Sequence, residues 1–81
     1  SMTVTASDED YDRLCDIADG ISGDVWAALE GQDLTCAMIV IGTLLANVEH
    51  ALAAHGWDRE RILTEVCETA DACEPELAGR A

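Results

Sequence analysis

Residues 33–56, DLTCAMIVIGTLLANVEHALAAHG, constrain the fold more than any other stretch of the chain. Leu34, Met38, Ile41, Leu45, Val48 and Leu52 recur at alternating steps of four and three, the period of one face of an α-helix. Ile39, Val40 and Leu44 widen that stripe until little of the first half is polar. A helix apolar over so much of its circumference must be covered from more than one side. Asp33 stands where an N-cap carboxylate accepts from the first unpaired amides, and Gly56 stands where the left-handed C-cap residue belongs. The cap and the period running on through Leu52 outweigh a strand reading of residues 36–42.

The flanking segments carry narrower stripes. Tyr11, Leu14, Ala18, Ile21, Val25 and Ala28 follow at steps of three and four, with Cys15 and Leu29 beside them. The phase holds across Gly20 and Gly23, which predicts one helix from about Asp8 to Glu30 although each internal glycine costs roughly 1 kcal/mol relative to alanine. The rival is a break at Asp19–Gly20, with Ser22 capping a second short helix and Ile21 stapled to Trp26. Ser7 and Asp10 resemble a capping box, and Asp8, Glu9 and Asp10 load the first turn with the charge that the helix dipole favours. Gly31, Gln32 and Asp33 make a short connection. Asp58 is the expected N-cap of a third helix over about Arg59 to Ala72, with Ile62, Leu63, Val66, Ala70 and Cys73 on its apolar face, and Pro75 is expected to stop it.

These segments predict an all-α fold, a three-helix up-down-up bundle built on the hydrophobic central helix. The organisation expected is a disordered N-terminus over 1–7, a single helical domain over 8–74 and a frayed tail over 75–81. Ser1 ahead of Met2 reads as a cleavage scar. A domain of 81 residues buries only about 60% of its unfolded surface. A second copy is the simplest addition, so a homodimer is expected, with Ile39, Val40 and Leu44 at its interface.

Charge speaks to function. Seventeen carboxylates face four arginines and no lysine, for a formal charge of −13. Such a surplus argues against direct binding to nucleic acid or to an anionic membrane, so a charged partner is expected to be basic. Nine of the carboxylates lie between Asp8 and Asp33, seven between Asp58 and Glu76, and Glu49 alone lies between the two groups. Glu9, Asp12, Asp16 and Asp19 run along one side of the first helix with a successive rise of ~4.5 to 6 Å, near the spacing of phosphates along a nucleic-acid strand, ~3.4 Å. Glu65, Glu68 and Asp71 form a shorter row on the third. A solvated helix face is the ordinary fate of such residues. Here, however, like charges adjoin at i, i+3 and i+4 at a cost of roughly a few tenths of a kcal/mol per pair, and only Arg13 relieves them on that helix.

Other chemistries find little support. Cys15, Cys36, Cys67 and Cys73 contain no C-x-x-C pair. Cys15 and Cys36 fit apolar stripes as buried thiols, whereas Cys67 or Cys73, if exposed, would link two chains under oxidising conditions. His50 and His55 are five residues apart rather than four, which does not stack two imidazoles for a metal. No glycine-rich phosphate loop, nucleophile elbow or paired carboxylate motif appears, so no enzyme, catalytic residue, metal or cofactor is expected. Trp26 and Trp57 are the aromatic anchors: Trp57 is expected to close one end of the bundle, and either would serve as an interface hot spot. The opening residues carry no secretory signal, and the uncharged run of the central helix ends at Glu49, short of the ~20 residues of a bilayer span. A cytoplasmic protein is expected.

In its single short domain, lysine-free acidic surface and lack of a catalytic constellation, the chain resembles the small acidic anti-CRISPR proteins encoded by phages. That resemblance implies a DNA mimic that occupies the positive channel where a Cascade or other CRISPR effector receives target DNA, with the carboxylates of the first and third helices meeting lysines and arginines. Two other classes stand beside it: a helical dimerisation or adaptor module that docks through the exposed part of Ile39, Val40 and Leu44, and a redox-responsive protein whose assembly Cys67 or Cys73 controls.

Overall fold

The computed structural model describes residues 8–79, with side chains from Asp10 onward. Three helices follow in chain order: α1 (Asp8–Leu29), α2 (Leu34–Ala53) and α3 (Arg59–Ala78). With no strand among the described residues, the fold is all-α. The Ser7 cap, the segment 1–7 and the end of the tail at 80–81 lie outside the described residues.

Two compact units divide the chain, one ending at Gly42 and the other beginning at Thr43, so the boundary falls within α2. In the first unit α1 runs unbroken through Gly20 and Gly23, as the continuous apolar phase predicts and as the two-helix rival does not. Gly31, at φ +81°, turns the chain in the left-handed region that costs glycine nothing. Asp33 then caps α2: its Oδ1 accepts from the Thr35 N–H at 2.8 Å and its carbonyl from the Cys36 N–H at 2.9 Å.

In the second unit the end of α2 is a Schellman turn. The Trp57 N–H reaches back to the Leu52 carbonyl at 3.2 Å and the Gly56 N–H to Ala53 at 3.1 Å, with Gly56 at φ +77°. Asp58, extended at φ −96° and ψ 172°, accepts from the Arg61 N–H at 2.9 Å and starts α3. That helix does not stop before Pro75. It continues to Ala78, six residues past the expected Ala72, with Pro75 inside it and the Gly79 N–H bonded to the Pro75 carbonyl at 3.2 Å. Proline's fixed φ is itself helical, and the bond it fails to donate falls on an exposed turn, where the freed carbonyl is open to solvent.

Burial departs furthest from expectation. Ile62, 2% exposed, is the one buried residue among those described. Leu45, Val48 and Leu52 are half-buried, but Leu14 and Ile21 of α1 and Leu34, Met38 and Ile41 of α2 are exposed, Leu34 to 75%. Within the first unit the stripes that require cover are left without it.

Candidate functional site

On α1 the carboxylates form a face by helix geometry alone. At about 100° per residue Asp12 and Asp19 lie within ~20° of each other, with Asp16 close by, about a third of a turn or more from the centre of the Leu14–Ile21–Val25 stripe. All three acidic side chains are exposed, and none has an ion pair among the described residues. The side chain of Glu9, the fourth residue expected in the row, lies outside the described residues. Glu65, Glu68 and Asp71 are likewise exposed along α3. The two rows belong to different units. Each is an acidic face on its own.

The same face of α1 carries Trp26, expected as an aromatic anchor or interface hot spot but not as part of the acidic row. Trp26 is seven residues beyond Asp19, as Asp19 is seven beyond Asp12, so the indole continues the acidic row and does not join the apolar stripe. It is 68% exposed. Beside it, where α1 gives way to α2, lies a depression of about 400 Å³ lined by Trp26, Leu29, Glu30, Asp33, Leu34 and Ala37. Two hydrogen bonds from Thr35, the first from its backbone N–H and the second from its side chain, hold the Asp33 carboxyl below the ordinary aspartate range. Glu30 is exposed. The heptad 12–19–26 is the signal in the sequence that marks this tryptophan as part of the charged face.

The turn between α2 and α3 shows how the chain treats its own cations. Arg59 makes a bidentate pair with Glu49, Nε to Oε2 and a terminal nitrogen to Oε1, both at 2.9 Å. The hydrogen bonds to Glu49 and then its charge raise the Arg59 pKa. Arg61 lies over the half-buried Trp57, its guanidinium carbon 3.8 Å from the ring centroid. Thus the expected closing role of Trp57 falls on a cation–π stack at a helix junction, and Glu49, isolated in the sequence, serves to hold Arg59.

The remaining candidates are placed plainly. Ile39 and Leu44 of the expected interface are 63% and 52% exposed, and Val40 is half-buried. Cys67 and Cys73 are exposed free thiols. Cys15, expected to be buried, is exposed as well and Cys36 is only half-buried, because the stripes they flank are uncovered. His50 and His55 are exposed, and among the described residues no three His, Cys, Asp or Glu side chains gather to hold a metal. By length and composition α2 is the one helix among the described residues able to cross a membrane. Its uncharged part, Leu34 to Val48, extends about 22 Å against a hydrocarbon core of about 30 Å.

No protein-family model, curated protein or solved structure matches the chain. Fold and site define an all-α acidic protein with carboxylate faces on its first and third helices.

Proposed function

We propose that this protein is an acidic inhibitor that occupies a basic nucleic-acid-binding surface on another protein, acting as a DNA mimic in the manner of the anti-CRISPR proteins it resembles. A single observation supports the reading: Asp12, Asp16 and Asp19 stand exposed in one row without an ion pair among the described residues, although Arg59 and Arg61 are engaged at a helix junction. Affinity then comes from charge complementarity, is gained largely through fast association, and falls with salt. The partner is a basic protein surface, of which the DNA channel of a CRISPR effector in the host cytoplasm is the example the resemblance suggests.

The scaffold is a homodimer in which the helices close into bundles. Leu34, Met38, Ile39 and Ile41 of α2 are 59–75% exposed, an apolar face that a second copy would cover. Ile39, Val40 and Leu44 of α2 lie at that interface.

Reversing the charge of Asp12, Asp16 and Asp19 together tests the reading. Partner binding is lost while helicity and dimerisation persist. The exposed apolar part of α2 favours a second reading, an adaptor that docks a partner helix there. An adaptor loses partner binding on Val40→Asp in a still-dimeric protein and tolerates the acidic triple.

A further inference from the structure

We infer that the depression at the α1–α2 junction is a seat for an arginine side chain of the basic partner, with Trp26 as its floor and Glu30 and Asp33 as its counter-charges. The inference rests on the basic-partner reading and adds what that reading leaves open, namely which cation the acidic face prefers.

Three observations converge. An exposed tryptophan at the end of a row of aspartates is out of place as a core residue, since the apolar stripe of α1 lies about a third of a turn away. It is equally out of place as mere solvated surface, because it lines a depression of about 400 Å³ whose other walls include two carboxylates and Leu34. The α1 C-terminus, whose dipole attracts positive charge, has no basic residue in its last turn.

The chain itself supplies the template. At the α2–α3 junction a tryptophan and a carboxylate engage two arginines, Arg61 stacked on Trp57 and Arg59 bidentate on Glu49. The α1–α2 junction presents the same ingredients, Trp26 with Glu30 and Asp33, and no arginine among the described residues lines it. A planar guanidinium satisfies both parts of such a site, one face on the indole and its edge toward a carboxylate. An ammonium lacks the planar face and loses more hydration on entering. The seat therefore discriminates arginine from lysine, whereas the open aspartate row answers to charge alone.

The test uses the full chain with octa-arginine and octa-lysine peptides as probes. Affinity is measured at one ionic strength for wild type and Trp26→Ala, and the two indole N–H resonances are followed in ¹⁵N spectra. Octa-arginine is expected to bind at least about threefold more tightly than octa-lysine. Trp26→Ala removes that preference by weakening octa-arginine binding more than octa-lysine binding, and the Trp26 indole shifts on adding octa-arginine to wild type. Equal affinity for the two peptides, or a preference that survives Trp26→Ala, overturns the seat while the basic-partner reading stands. Binding of neither peptide overturns both. A Trp26 indole that shifts with protein concentration alone assigns the depression to a second copy of this chain, and it too overturns the seat. The wild-type spectra decide the matter even if the variant does not fold.

Discussion

Gly56 and Gly20 put one residue type to opposite effect. Gly56 holds a left-handed φ of +77°, and a Cβ there meets no atom within 4 Å, so Gly56→Ala is penalised by backbone conformation alone. A loss of about 1 kcal/mol is expected, read as a lower denaturation midpoint. Gly20 is helical and equally open, so Gly20→Ala removes only unfolded-state freedom and is expected to stabilise by about 0.5–1 kcal/mol. Like signs for the two variants would refute this account of the turn. Asp33 gives a pH-dependent case. Its folded pKa is depressed by the bonds from Thr35, so its capping contribution is fully present above the ordinary aspartate pKa and is lost as pH falls through the lowered value. Helicity of wild type and Asp33→Ala should therefore differ at neutral pH and converge on acidification. A gap that widens toward acid contradicts the assignment.

At the scale of elements, local chemistry was legible and cover was not. The caps at Asp33, Gly56 and Asp58 were readable because each depends on one side chain or one φ and a few adjacent amides. The end of α3 was not, because a proline expected to end a helix is tolerated where solvent replaces its missing bond. Burial was misjudged for a related reason: the stripe of Leu34, Met38 and Ile41 says that something must cover it, and cannot say whether that cover is the same chain. The acidic row on α1 was visible from spacing, while its continuation into Trp26 was not, because charge spacing alone does not include an indole. If α2 is the dimer seam, Val40→Asp places an unpaired carboxylate in it and the chain sediments as a monomer with reduced helicity. A Val40→Asp protein that remains dimeric removes α2 from the interface.

For the whole molecule the decisive property is the imbalance of seventeen carboxylates against four arginines, together with the use of Arg59 and Arg61 at a helix junction. What is left for a partner is a surface of nearly unrelieved negative charge, and on the proposed reading it competes with nucleic acid for a basic groove. Partner affinity should decline steeply with added salt, and less steeply once Asp12, Asp16 and Asp19 are replaced by asparagine. The most direct measurement is competition on the immobilised protein in host lysate: proteins retained at low salt are challenged with duplex DNA and identified by mass. Nucleic-acid-handling proteins released by DNA, and not retained when the three aspartates are reversed in charge, are the predicted result. Proteins held equally by both versions of the surface and indifferent to DNA would contradict it.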